Sequence, residues 1–291
     1  MGNYVIISDG SCDLTLEEAK SLDVEVVPFY VSFENEQFKE GRDFKVRDFY
    51  QRMVDNPTVF PKTSLPSPQD YIDSFEKYLK EGKDIICLCI TTKFSGSFNS
   101  ATNAKMILEE EYPDRRITII DTMVNTVLQG LVVREAAKKR DEGADYDTLV
   151  SMIEENKLTG RIFFTVKGLS YLQHGGRIGK LSSIIGDILK ISPIICLKEG
   201  EIFAQGKVIF RNRALKAIKE AVLAHLESVE ATKDSYRLVI GYGYDMDEAN
   251  EFKDMICKAL PEYDIEFSQI GATIGVHTGP YPIGVGLIKK F

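Results

Sequence analysis

The first half of the chain alternates short apolar runs with segments of helical spacing, and this alternation constrains the fold more than any other feature. The runs are "YVIIS" (4–8), "DIICLCI" (84–90) and "RITIID" (116–121). Such continuous runs are typical of parallel strands that helices cover on both faces. Helical segments stand between them, and Thr15 is a candidate N-cap for the first. We therefore expect a parallel sheet with crossover helices up to about residue 150.

The second half has a different pattern. Residues 191–210 resemble two strands that turn at "KEGE", a long helix is predicted over about 213–230, and "SSIIGDILK" (182–190) has the spacing of a short amphipathic helix. The fold class expected is α/β, with an N-terminal parallel-sheet α/β/α domain and a C-terminal α+β domain whose sheet is largely antiparallel. The boundary is placed between residues 1–157 and 158–291.

Composition and charge exclude several classes of protein. Of the 291 residues 44% are hydrophobic and 27% charged, as in globular proteins. A net charge of −8 makes nucleic acid an unsuitable partner. No apolar run reaches the roughly 18–20 residues of a membrane span, and no basic leader precedes the first strand. The five cysteines lack CxxC spacing, so we expect a cytoplasmic protein with reduced thiols and neither metal nor cofactor.

Ser95 is the first candidate for chemistry, because it follows a strand in the segment "FSGSF" (94–98). A serine nucleophile needs a base within hydrogen-bond reach, and only His174, His225 and His277 are available. The segment lacks the first glycine of the GxSxG elbow. His225 lies within a predicted helix, whereas His277 lies in a glycine-rich segment that we expect to be a loop able to approach a ligand. A hydrolase stays open on these facts.

Phosphate binding has weaker support. The segment "GGRIGKLS" (175–182) has three residues between Gly175 and Gly179, where a P-loop needs four, and leucine follows Lys180. A simpler interpretation is a loop in which Arg177 pairs with a carboxylate. The acids of "DGSCD" (9–13) could bind magnesium, but a cap and a turn is the more common use of such a pair.

Two hydroxyl-bearing loops are expected at one edge of the first sheet. One is "PKTSLPSP" (61–68) and the other is "TTKFSGSFNS" (91–100). In open α/β sheets, ligands bind beyond the carboxyl ends of the strands. Neutral hydroxyl donors and the amides of a helix start suit a carboxylate or a phosphate, although both loops could equally serve only to cap the helices that follow. The candidate residues are Thr63, Ser64, Ser95, Gly96 and Ser97.

Five motifs together resemble one family. They are "SDGSCDL", "KTSLPSP", "KFSGSFNSA", "YLQHGGRIGK" and "GATIGVHTGP", spread over nearly the whole chain. In this order they are similar to the motifs of DegV-family proteins, which are bacterial fatty-acid-binding proteins. The resemblance implies that Thr63 and Ser95 hydrogen-bond the carboxylate of a long-chain fatty acid of the palmitate, stearate or oleate type, with His277 close by. It also implies a carrier, rather than an enzyme, that presents the carboxylate to a fatty acid kinase subunit for phosphorylation.

The resemblance further implies that the tail enters the second domain, between its sheet and its helices. Apolar candidates for that tail pocket are Phe163, Ile184, Ile188 and Ile274. Basic candidates for docking the kinase are Arg177, Lys207, Arg211 and Arg213, with transient membrane contact also open. Where relatives commonly have "GPGALGV", this chain has "GPYPIGV", so the effect of Tyr281 and Pro282 on the site is not fixed by the resemblance.

Two rival functions keep the interpretation open. One is a stand-alone serine esterase or acyl hydrolase that uses Ser95 and His277, and the other is a sensor of a small anion without a lipid tail. The sequence leaves the preferred acyl chain, the oligomeric state and the identity of the kinase unassigned.

Overall fold

The computed structural model describes residues 3–34, 36–184 and 191–291, the side chains of residues 182–184 excepted. The strands of the described residues are β1 (Tyr4–Asp9), β2 (Val24–Val27), β3 (Tyr30–Phe33), β4 (Glu36–Lys39), β5 (Lys62–Ser64), β6 (Asp84–Cys89), β7 (Ile117–Asp121), β8 (Arg161–Thr165), β9 (Ile191–Lys198), β10 (Glu201–Ile209), β11 (Tyr236–Tyr242), β12 (Ile265–Gln269) and β13 (Ile283–Lys289). Their α-helices are α1 (Leu16–Ser21), α2 (Val46–Asp55), α3 (Pro68–Lys80), α4 (Ser97–Glu111), α5 (Thr126–Asp141), α6 (Tyr146–Asn156), α7 (Ser170–His174), α8 (Arg211–Ser228), α9 (Met246–Ala259) and α10 (Ala272–Thr278).

The first half contains the expected parallel sheet, in the order β2-β1-β6-β7. Alternate side chains of β1 enter different cores. Val5 and Ile7 pack with residues of α3 and α4, while Tyr4 and Ile6 pack with residues of α5 and α6. Burial on both faces explains why these strands are apolar throughout, and it confirms the predicted α/β/α layers.

Helix starts follow the capping signals of the sequence. Thr15 accepts a hydrogen bond from the Glu18 amide, and the Glu18 side chain accepts one from the Thr15 amide, which completes a capping box. Ser67 caps α3 in the same way, with Pro68 as the first helical residue.

The apolar run "VEVVPFYVSF" (24–33) has the sequence pattern of a single strand, but the structure has two strands there, in different sheets. Only β2 belongs to the parallel sheet, because the chain leaves that sheet at Pro28, which has no amide hydrogen to donate to a strand ladder. Strand β3 instead pairs with β4 and β5 in a three-stranded antiparallel sheet. Thr63, expected in a loop, therefore lies on β5, opposite Val31.

The second half contains a six-stranded sheet in the order β10-β9-β8-β13-β11-β12. All its strand pairs are antiparallel except β11 with β12, as expected for a largely antiparallel sheet. Helices α8 and α9 cover one face, and α5 of the first half packs against the other. The helix predicted over 182–190 lies for the most part outside the described residues.

The two halves share contacts through the short helix α10. Ala272 and Val276 of α10 pack against aromatic residues of α2 and β3, and the Tyr50 hydroxyl donates to the carbonyl of Ile270 at 3.0 Å. The Glu40 carboxyl accepts hydrogen bonds from the amide and the hydroxyl of Thr273. The division at residues 157 and 158 stays a prediction. No helix of the described residues is long and apolar enough to cross a bilayer.

The Glu40 carboxyl makes the stability of the fold depend on pH. Burial raises its pKa from 4.5 to about 7, although the hydrogen bonds from Thr273 oppose the shift. The groups facing it are Asp9 at the end of β1, Asp13 in the turn that follows, Tyr50 from α2, and Arg134 from α5 through its charge on Asp13. Between pH 4.5 and 7 the folded protein holds a proton that the unfolded chain releases, so stability falls as the pH rises.

We expect the free energy of unfolding to lose about 3 kcal/mol between pH 5 and pH 8 through this carboxyl. Glu40→Gln should remove that part of the slope, because the amide cannot ionise. Urea unfolding at both pH values measures it. Glu251→Gln, which changes an exposed glutamate of α9, is the control and should keep the slope that Glu40 produces. Equal slopes for Glu40→Gln and the wild type would contradict this assignment.

Candidate functional site

A cavity of about 360 Å³ lies between the two halves of the molecule. The loop after β6, the end of β5 and helix α10 form its polar end, and side chains of β8, β10 and α7 form apolar walls. Residues that line it are Phe29, Thr63, Ser64, Leu65, Ile90, Phe94, Ser95, Asn125, Phe164, Leu172, Arg177, Ile202, Thr273, Ile274, His277 and Thr278. The structure thus brings Thr63, Ser95 and His277 to one cavity, together with Ile274.

Thr63 and His277 are hydrogen-bonded to each other across the two halves. The Thr63 hydroxyl lies 3.0 Å from Nε2 of His277, while Nδ1 of His277 is buried and has no hydrogen-bond partner among the residues that the structure describes. Gly175 makes this arrangement possible, because a side-chain carbon there would lie 2.1 Å from Nδ1. His277, expected in a loop, is on α10, where the helix fixes the direction of its ring.

The surroundings of His277 favour a neutral ring with the proton on Nε2. Burial lowers its pKa to about 4, and the charge of Arg177 adds to the shift. A buried N–H without an acceptor is rarer in proteins than an unused lone pair, so the unpartnered Nδ1 is the better place for the lone pair. Nε2 then donates to the Thr63 oxygen, which leaves the Thr63 hydroxyl proton free to point into the cavity.

Ser95 has an equivalent arrangement. Its hydroxyl oxygen accepts a hydrogen bond of 3.1 Å from the amide of Ser97, at the start of α4. A serine hydroxyl has one proton, so this contact leaves the Ser95 proton available to a ligand. Both hydroxyls therefore receive a hydrogen bond from the protein and can donate one to an anion.

Asp9 holds the Ser95 loop in place from within the core. Its buried carboxyl accepts hydrogen bonds from the hydroxyls of Ser11 and Ser97, the amide of Ile90 and the side chain of Gln129. Burial raises its pKa, and these donors oppose the shift. Asp9 also caps the short 3-10 helix Gly10–Cys12, as the cap-and-turn interpretation of "DGSCD" predicts.

Arg177 lies at the cavity and forms no ion pair with a carboxylate of the described residues. Its Nε donates to the carbonyl of Phe94 at 3.1 Å, and a terminal nitrogen donates to the carbonyl of Gly175 at 2.6 Å. Both of these acceptors are neutral carbonyls, so Arg177 brings a positive charge to the polar end of the cavity, beside His277.

The remaining head-group candidates have different positions. Ser64 lines the cavity. Gly96 precedes α4 and approaches Leu65, whereas the Ser97 hydroxyl is buried between Tyr71 and Asp9 and does not line the cavity. Ser97 supports the site from behind through its amide.

The apolar cavities lie on the face of the six-stranded sheet that is turned away from α8 and α9. The space between that sheet and α8 and α9 is filled by side chains, and Phe163 belongs to this filled core, 5.8 Å from the His225 ring. Its neighbour Phe164 lines the cavity instead, because successive side chains of a strand point to opposite faces. Ile188 and the side chain of Ile184 lie outside the described residues.

A second, inner cavity of about 40 Å³ adjoins the first. The two share Asn125, Phe164, Ile202, Ile274 and Thr278 as lining residues. The inner one extends along β8, β9, β11 and β13, under the start of α5.

The predicted basic docking surface is smaller than expected. Arg211 is half-buried. Its Nε and one terminal nitrogen each donate a hydrogen bond of 2.8 Å to the Glu248 carboxylate, and the same terminal nitrogen also donates to the carbonyl of Tyr281. Arg177 faces the cavity, as described. Lys207 and Arg213 remain exposed.

Sequence reasoning missed several residues of the site. Asn125 lines both cavities, yet nothing in its sequence context distinguishes it. Phe164 could have been found from strand alternation, had the face of the sheet been known. Within the described residues, no group of three or more His, Cys, Asp or Glu side chains is arranged to hold a metal ion.

We expect the His277 ring to stay neutral from pH 8 to pH 5, since burial and Arg177 lower its pKa to about 4. Ring resonances in two-dimensional NMR, assigned by comparison with His277→Gln, should show the tautomer protonated at Nε2 throughout that range. A titration midpoint above pH 6 would contradict the assigned environment.

Comparisons with known proteins agree with this architecture. The sequence matches the DegV family, a family of uncharacterised proteins, over residues 3–290. It is 30% identical over 282 residues to a DegV domain-containing protein of Clostridium perfringens, covering 96% of this chain and 95% of the relative. The fold is similar to that of a stearic-acid-binding protein from Eubacterium ventriosum, with a TM-score of 0.93, 40% identity and coverage of 99% and 98% of the two chains. It is also similar to a fatty-acid-binding DegV family protein from Thermus thermophilus, with a TM-score of 0.87, 27% identity and coverage of 99% of each chain. This chain belongs to the DegV family.

Proposed function

We propose that the protein binds a long-chain fatty acid, with the carboxylate at the polar end of the cavity and the tail along its apolar walls. The observation that carries the proposal is the pair of hydroxyls, Thr63 and Ser95, each of which receives a hydrogen bond from the protein and has its own proton left to donate. Arg177 adds positive charge beside them. The similarity to proteins described as binding stearic acid and other fatty acids supports the same ligand class.

The energetics favour a tail-driven affinity. A sixteen-carbon fatty acid has about 15 tail carbons to bury, worth roughly 0.8 kcal/mol each, so about 12 kcal/mol is available before the losses of ordering and association. Two hydroxyl donors to a carboxylate add about 1.5–3 kcal/mol each. The tail can therefore supply most of the affinity while the hydroxyls fix the position of the carboxylate.

The protein acts as a carrier that presents the carboxylate to a partner fatty acid kinase, which phosphorylates it to an acyl phosphate. A carboxylate held by neutral hydroxyls, at the polar end of an apolar cavity, keeps lone pairs for attack on a phosphoryl donor. Exposed Lys207 and Arg213 offer a basic surface for an acidic partner. The buried free cysteines fit a reducing, cytoplasmic setting.

The geometry gives the rival functions less support. An esterase needs His277 as the base for Ser95, yet Nε2 of His277 contacts Thr63, and Ser95 contacts the Ser97 amide. A sensor of a small anion has no use for apolar walls around a cavity of about 360 Å³. Labelling of Ser95 by a fluorophosphonate would favour the esterase.

We expect long-chain fatty acid to accompany the purified protein, and delipidated protein to bind palmitate or oleate with micromolar or tighter affinity. Native mass spectrometry and a fluorescence displacement assay measure the two quantities. A delipidated, folded protein that fails to bind either acid would refute the proposed function.

Thr63→Val combined with Ser95→Ala should weaken binding by about tenfold to a hundredfold for each donor lost, because each removes a hydrogen bond to a charged group. Thr92→Ala is the matched control, since Thr92 follows the same strand but bonds Asp121 at 2.7 Å, away from the cavity lining. Acyl-phosphate formation with the kinase should fall further than binding. Wild-type turnover in the double variant would exclude these roles for the two hydroxyls.

Lys207→Glu combined with Arg213→Glu should slow phosphorylation by the kinase about tenfold or more and leave fatty-acid affinity unchanged, because charge reversal at a docking surface acts on association. The control carries the same charge change on exposed lysines of the first half, Lys20→Glu with Lys45→Glu. If both double variants slow phosphorylation equally, the cause is the change in net charge, and the proposed docking surface is contradicted.

A further inference from the structure

Strands β11 and β13 have very different residues on their two faces. Toward α8 and α9 they present only large side chains, among them Leu238, Ile240, Val285 and Leu287. Toward the cavities the same strands present Gly241, Gly284 and Gly286. Gly241 and Gly284 are paired directly across the strands, and Gly286 is paired with Val239. The sheet therefore has a bare patch on its cavity face.

Backbone conformation does not explain these three glycines. None of them has a positive φ. Gly284 is explained by the neighbouring strand, because a side-chain carbon there would lie 2.4 Å from the carbonyl oxygen of Phe163 on β8. Gly241 and Gly286 have no such contact with the backbone of a neighbouring strand, and their φ angles suit other residues. Glycine inside a buried strand weakens the sheet and is typical of places where a ligand or another chain segment approaches closely. What the patch requires is the absence of side chains.

Helix α5 covers part of the glycine patch, and the inner cavity lies over the rest. Helix α5 approaches the patch, since a side-chain carbon at Gly286 would lie 3.1 Å from Cβ of Leu128, and one at Gly241 would lie 2.8 Å from a methyl group of Val127. Beside the helix, the space that Val127 and the glycines leave unfilled is the inner cavity. Among the described residues that line this cavity there is no charged side chain.

We propose that the glycine patch and Val127 set the length of acyl chain that the protein accepts, with the inner cavity as the site of the terminal methyl end. This inference rests on the proposed function. Thr63, Ser95 and Arg177 line the outer cavity and not the inner one. The inner cavity adjoins the outer one at Phe164, Ile202 and Ile274, so a chain anchored at Thr63 and Ser95 reaches the inner cavity last. The depth of the inner cavity then limits the number of carbons.

Gly286→Ala tests this directly, because its methyl group would meet only side-chain atoms, of Leu128 and Val239. Delipidated full-length protein is given an equimolar mixture of myristate, palmitate and stearate, and native mass spectrometry gives the bound fractions. Gly286→Ala should lower the ratio of stearate to myristate relative to the wild type by about fourfold for each methylene excluded.

Val127→Ala enlarges the same cavity and should raise the ratio, so a result remains available even if Gly286→Ala fails to fold. Gly168→Ala is the matched control, since a side-chain carbon there meets no atom within 4 Å and Gly168 lines neither cavity. A wild-type ratio in every folded variant that binds fatty acid would overturn the length inference and leave the proposed function standing. Wild-type protein that binds none of the three acids would overturn both.

Discussion

The buried carboxyl of Asp9 is the interaction on which the site depends. It stands at the end of β1 and collects donors from the turn after β1, from the amide of Ile90 after β6, from Ser97 on α4 and from Gln129 on α5. A buried carboxyl without such donors would be strongly unfavourable, so these four elements are held at fixed positions around it. The Ser97 contact is the one that matters most for ligand binding, because Ser97 in turn orients Ser95.

The position of the cavity is set by helices that contact both halves of the molecule. Helix α5 packs against the parallel sheet on one side and against the six-stranded sheet on the other, and α10 carries His277 into contact with Thr63 of β5. Residues more than 200 positions apart in the chain thus form the polar end. The Tyr50 and Glu40 contacts hold α10 against the first half, and α10 in turn holds His277 against Thr63.

Features that depend on local sequence were predictable, whereas features that depend on tertiary packing were not. The parallel strands, the capping of α1 and the gathering of Thr63, Ser95 and His277 follow from runs, caps and family motifs. Strand alternation put Phe163 and Phe164 on opposite faces, but only the packing of α8 decides which face is filled. Likewise, the glycines around His277 suggested a loop, whereas burial of Ala272 and Val276 against α2 stabilises a helix. Arg177 was predicted either to pair with a carboxylate or to belong to a docking surface, because the partners it has, two carbonyls, leave no trace in sequence.

In the proposed site, the orientation of the carboxylate and the affinity for the tail depend on different residues. Neutral hydroxyls orient the carboxylate with modest energy, and the Arg177 charge, held by carbonyls, favours the anion without a direct ion pair. The larger energy comes from methylene burial, which adds up along the cavity and ends at the glycine patch. Because the head-group residues lie on β5 and the loop before α4 while the patch lies on β11 and β13, substitutions can change chain selection without touching the carboxylate. The residues that bind the carboxylate can thus stay the same while the accepted length of the acyl chain changes.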